Sequence, residues 1–132
     1  MVRNLAAVIA GFAVGAGVIA GVQYLSMLIF PPPPGLDPSK PEDVVKMMGQ
    51  IPLAALWMVE ASYIAGSLAA GFVTAKIAAT RQTYLAIVLG VVYTGLNLVN
   101  LVQIPHPLWM ALLTTVTFLP LTWLGARLAA RR

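Results

Sequence analysis

Residues 51–75 read IPLAALWMVEASYIAGSLAAGFVTA, and this run decides the fold. A helix needs about 20 consecutive apolar residues to cross a bilayer. The run is long enough and carries a single charge, Glu60. Three further runs of the same character lie at about 5–30, 84–104 and 108–128. The whole chain agrees with them: 132 residues, 60% hydrophobic and 9% charged, with a mean hydropathy of +0.88. A soluble domain of this size carries a more charged surface. The expectation is therefore an all-α, integral membrane four-helix bundle, with the lipid bilayer as its first partner. Arg3 before an apolar stretch resembles a secretory signal, but the stretch outruns a usual h-region and is expected to be retained.

The absence of cysteine removes disulfides, thiolate metal sites and thiol nucleophiles. The net charge of +4 sits at span ends, where it sets orientation and implies no nucleic-acid partner. Arg3, Lys76, Arg81, Arg127, Arg131 and Arg132 fall on one side of a four-crossing chain. Only Lys40 and Lys46 fall on the other, offset by Asp37, Glu42 and Asp43. The positive-inside rule then puts both termini in the cytoplasm of a bacterial-type inner membrane, with the 31–50 loop and the Pro105-His106-Pro107 turn outside.

The chain also resembles itself. QIPLAALWM at 50–58 is similar to QIPHPLWM at 103–110, and AKIAATR at 75–81 to ARLAARR at 126–132. AVIAG at 7–11 and AIVLG at 86–90 match more loosely. The reading is two parallel helical-hairpin repeats (2+2), related by an axis along the membrane normal. Convergent use of interfacial tryptophan and basic ends gives some of the same pattern.

In the outer loop, the prolines at 31–34 favour an extended polyproline segment. Ser39 with Glu42 three residues on reads as a capping box for a short interfacial helix ending at Gly49, with Val44, Val45, Met47 and Met48 toward the membrane. Glycines 11, 15, 17 and 21 in the first span, and Ala61, Ser62, Ala65, Gly66, Ser67, Ala70 and Gly71 in the second, invite close helix approach within the bundle or between copies. Pro120 is expected to kink the last span.

Glu60 lies nine residues in from Ile51, about 14 Å of helix, which is close to the middle of a hydrocarbon core of about 30 Å. Polar residues share its depth. Tyr63 follows at helical spacing, Asn97 and Asn100 share a face with Tyr93, and Thr115 shares one with Thr122; Gln23 and Tyr24 reach the same level from the first span. Polar groups facing lipid cost several kcal/mol, about the price of an unmade hydrogen bond, so they are expected to pair inside the bundle. Since no basic residue shares its depth, Glu60 is expected to be neutral, a donor as well as an acceptor, bonded to Asn97, Tyr63 or Thr115. His106 is the sole histidine. It reads as an interfacial residue or, tucked inward, as a relay to Glu60.

The candidate ligand-binding or proton-coupling set is thus Glu60, Tyr63, Asn97, Asn100, Thr115, Gln23, Tyr24 and His106. No catalytic residue, metal site or cofactor is expected, because no nucleophile, phosphate-cradle or dinucleotide motif is present. The leading expectation is a small non-enzymatic membrane protein, an accessory subunit or a binder of a lipid-like amphipathic ligand. It is accompanied by a homodimer or a larger membrane complex. A homo-oligomeric proton-coupled transporter or channel is the alternative. An intramembrane enzyme using Glu60 and His106 comes third.

Overall fold

The computed structural model describes residues 1–31, 34, 35, 39–48, 50, 52–103 and 106–130, apart from the side chains at 41, 44, 47, 48 and 130. Within them the chain is all-helical: α1 (Val2–Ile29), α2 (Pro41–Met48), α3 (Leu53–Ile77), α4 (Gln82–Gln103) and α5 (Leu108–Ala130). All but α2 are long and apolar enough to cross a membrane. The expected polyproline segment, the stop at Gly49, Asp37, Pro105, Arg131 and Arg132 fall wholly or partly outside the described residues, as do the side chains of Val44, Met47 and Met48.

Local chemistry sets the ends. Pro52 is extended and its carbonyl accepts from Ala55 and Leu56, so α3 begins at Leu53. Pro107 does the same for α5, accepting from the Ala111 amide at 3.0 Å. Between α3 and α4 the chain turns through Arg81, which sits in the left-handed region at φ 53°. That turn is clamped from α1. The Asn4 side chain accepts from the Ala79 and Thr80 amides and donates to the Thr80 hydroxyl. Arg3 Nε donates to the Ile77 carbonyl at 2.6 Å. α5 continues as helix through Pro120.

α3 is the hub and packs against α1, α4 and α5, while α2 approaches no other helix among the described residues. Its buried stripe explains why. Ser62, Gly66, Ser67, Ala70, Gly71 and Thr74 recur at helical spacing and are all small. Lipid is as apolar as a leucine side chain, so close van der Waals packing drives association here. A Cβ on Gly71 would collide with the Thr122 backbone, and one on Gly125 with the Leu68 carbonyl. Those two glycines let α3 and α5 touch backbone to backbone. Gly11 and Gly15 do the same for α1 against Thr74 and Ala70, whereas Gly17 and Gly21 face open space. Large side chains point outward, among them Val91, Leu98, Val102, Leu112, Val116 and Trp123. An exterior of this kind belongs in lipid.

The two ends of the bundle differ. One carries Arg3, Lys76, Arg81 and Arg127 around an alanine cluster of Ala75, Ala86, Ala126 and Ala129. At the other, the rings of Trp57 and Trp109 meet at 4.9 Å between centroids, tilted by 30°, and join the starts of α3 and α5. Between them lies an aromatic core of Tyr93 and Phe118 with Leu89 and Ala70.

Candidate functional site

Glu60 lies on α3, seven residues below Leu53, or roughly 10 Å from the aromatic end. It is only 2% exposed. Its Oε1 meets the hydroxyl of Thr117 on α5. That same hydroxyl lies 2.7 Å from the Leu113 carbonyl, one turn back in its own helix. A hydroxyl has one proton and here faces two oxygens. The arrangement is complete when Thr117 donates to Leu113 and Glu60, protonated, donates to Thr117. The other carboxyl oxygen, Oε2, is buried and has no hydrogen-bond partner.

Glu60 and Thr117 line a groove of about 490 Å³ between α3 and α5. Its other walls are Trp57, Ala61, Ile64, Leu113, Val116 and Leu121. One wall residue stands where the hydrogen-bond ladder of α5 is interrupted. The Val116 carbonyl would take its helical hydrogen bond from residue 120, which is Pro120 and has no N–H to give. The groove is otherwise apolar, with one unpartnered acceptor, Glu60 Oε2, and no basic residue in its lining among the described residues.

Four of the remaining expected residues assemble on the opposite side of α3. Gln23, Tyr63, Asn97 and Asn100 line a second recess of about 310 Å³, with Ile19, Tyr93, Leu96 and Phe118. Gln23 Nε2 donates to Ser62 Oγ at 3.2 Å, and its amide also bonds the Tyr63 hydroxyl. Tyr93 donates to the Phe12 carbonyl at 2.7 Å, and its ring stacks on Phe12 and Phe118. Asn97, buried, donates to Thr114 at 3.1 Å.

The polar residues thus share one layer but divide into two sets. Helix geometry accounts for the division. Three residues advance a helix about 60° short of a full turn, and four advance it about 40° past one. From Glu60, Tyr63 therefore swings toward α1 and α4, and Ile64 swings toward α5. Glu60 finds Thr117, and neither Asn97, Tyr63 nor Thr115 is its hydrogen-bond partner. Thr115 bonds back to the Ala111 carbonyl at 2.7 Å. Tyr24 is 62% exposed on the outer surface of α1. His106 is half-buried in the turn before α5 and borders neither recess. Thr117 was legible only as the third threonine of TTVT at 114–117, three residues from Thr114 and so on its face. No known family model, curated protein or solved structure matches the chain.

Proposed function

We propose that this multi-pass membrane protein is a non-enzymatic binder of a lipid-like amphipathic molecule, held in the α3–α5 groove by a head group that donates hydrogen bonds. The observation that carries the reading is Glu60 Oε2, buried and unpartnered beside an otherwise apolar groove. A buried acceptor without a donor costs about 1–3 kcal/mol, and a hydroxyl, amide or ammonium of a ligand removes that cost. The Val116 carbonyl, whose i+4 residue is Pro120 and so gives it no amide, would accept from the same head group. Trp57 at the groove and Trp109 beside it offer a flat apolar wall near the membrane surface. The protein acts either alone or as the ligand-holding subunit of a larger membrane complex.

The test is gentle extraction followed by mass spectrometry of what remains bound. Wild type is expected to retain a donor-bearing amphiphile. Glu60→Gln, which keeps a carbonyl acceptor, retains it, and Glu60→Leu loses it. Identical lipid profiles for wild type and Glu60→Leu refute the proposal.

Orientation and repeat belong to the same reading. The basic residues at one end support cytoplasmic termini in a bacterial-type inner membrane. A reporter active only in the cytoplasm is expected to work when fused after residue 132 or within 78–81, and to fail within 31–50. The ring contact between Trp57 and Trp109, which hold matching places in the two similar sequence segments, supports the 2+2 repeat. Packing tempers that symmetry, since α4 rests on α3 while α1 makes no approach to α5 among the described residues.

A second reading draws on the recess lined by Gln23, Tyr63, Asn97 and Asn100. It lies across α3 from the Glu60 groove at similar depth. Two recesses separated by one helix suit a proton-coupled carrier, and a bundle this thin would then work as a homo-oligomer. Proton flux in liposomes that is lost in Glu60→Gln supports this reading over passive binding.

A further inference from the structure

At the basic end a third recess, of about 540 Å³, opens between the start of α1, the end of α3, the start of α4 and the end of α5. Its lining is Arg3, Lys76, Gln82 and Thr83 over a floor of alanines that includes Ala75, Ala78 and Ala129. We propose that it is a binding site for a phosphate group, separate from the Glu60 groove.

Three features support this. The first is uncompensated charge. The four acidic residues of the chain are Asp37, Glu42, Asp43 and Glu60, so no acidic side chain lies in the 76–83 turn, in the 108–132 segment or in the first turn of α1. The second is preorganisation. Arg3 uses Nε on the Ile77 carbonyl, which anchors the guanidinium and leaves both terminal nitrogens to make the two-pronged contact that suits a phosphate. Lys76 Nζ lies 5.6 Å over the Phe72 ring, one turn back in the same helix, which limits where the ammonium can swing. The third is neutral donors. The Gln82 amide and Thr83 hydroxyl line the recess and have no side-chain hydrogen bond. The turn that carries them is itself fixed by Asn4.

The phosphate has two sources, the head group of an anionic lipid or a free phosphate species. The alanine floor, continuous with the apolar bundle, fits the first. The experiment uses purified protein in mixed micelles containing either phosphatidylglycerol or phosphatidylcholine, with lipid retention read by native mass spectrometry. Inorganic phosphate protection against thermal unfolding is measured in parallel.

Phosphatidylglycerol is expected to be retained in preference, and Lys76→Gln to weaken it about fivefold, the factor ascribed to one cation near a membrane surface. Arg3→Gln weakens it similarly and Arg3→Lys less. Because Arg3 also braces α3, the Lys76→Gln variant carries the result if Arg3→Gln is unstable. Arg127→Gln removes a cation at the same end but outside the recess and is expected to have little effect. Lipid preference without phosphate protection assigns the site to a head group, and protection by phosphate alone assigns it to a soluble species. Equal retention of the two lipids with no protection overturns the proposal. So does a loss in Arg127→Gln as large as that in Lys76→Gln, which would mean general surface charge.

Discussion

Replacing Thr117 with valine keeps the shape of the side chain and removes the one hydroxyl that meets Glu60. Both carboxyl oxygens are then without a protein partner, because Oε2 already lacks one. An orphaned buried polar group costs about 1–3 kcal/mol. Helices unfolded within a micelle find substitute partners, which pulls interhelical hydrogen bonds toward the low end, so Thr117→Val is expected to cost about 1 kcal/mol. The cost must depend on Glu60. In a Glu60→Leu background the valine forfeits only the bond to the Leu113 carbonyl, a back-bond within one helix that adds little to helix stability. The expected loss there is a few tenths of a kcal/mol, leaving a coupling of about 1 kcal/mol. Glu60→Gln with Thr117 intact is expected to stay within about 0.5 kcal/mol of wild type, because an amide N–H takes the place of the carboxyl proton. Equilibrium unfolding in mixed dodecyl sulfate micelles, followed by tryptophan fluorescence, measures all four corners. An equal cost for Thr117→Val in both backgrounds would refute the pairing.

Gly71→Leu and Gly125→Leu are expected to destabilise the monomer by more than about 2 kcal/mol, since each forces side-chain atoms into the backbone of the facing helix. Gly17→Leu and Gly21→Leu meet open space and are expected to leave unfolding unchanged, so a shift from dimer to monomer in sedimentation for these two alone identifies an intermolecular face on α1. Asn4→Ala removes three hydrogen bonds to the turn after α3 and is expected to cost about 1 kcal/mol. Faster hydrogen exchange at the Ala79 and Thr80 amides is the specific check; unchanged exchange there rejects the clamp.

The four long helices were legible because length and hydropathy are read along the chain, one segment at a time. Their partners were not. Which glycines pack inward depends on the rotation of α1, and the sequence treats Gly11, Gly15, Gly17 and Gly21 alike. Rotation also explains the candidate site. Depth counts set Gln23, Glu60 and Asn97 at a common level, but a level is a ring and not a point. Gln23 and Asn97 close around Tyr63 on one side, while Glu60 turns to the other and meets Thr117. The clamp by Asn4 had no signal at all, because its partners lie more than seventy residues away in the chain.

Pro120 takes on a role in this structure that its sequence context did not give it. Read alone, it is expected to kink α5, and the helix runs on through it. The consequence is chemical and local. One turn earlier the Val116 carbonyl loses its donor, and Val116 borders the groove into which the Glu60–Thr117 pair is built. Glu60 Oε2 has no donor and the Val116 carbonyl lacks its i+4 amide, and an unmet acceptor is costly in lipid, where no water relieves it. Neighbouring residues that merely cement helices would be expected to satisfy each other, as Asn97 and Thr114 do within the same layer. Ser67 Oγ and Thr74 Oγ1 on α3 are also buried without a partner, but of the three residues Glu60 alone lines the α3–α5 groove, which is why the donor-bearing ligand is proposed there. Pro120→Ala restores an N–H to the Val116 carbonyl, so it is expected to leave the fold intact while weakening retention of the bound amphiphile. Retention unchanged in Pro120→Ala but lost in Glu60→Leu would confine recognition to the carboxyl group alone.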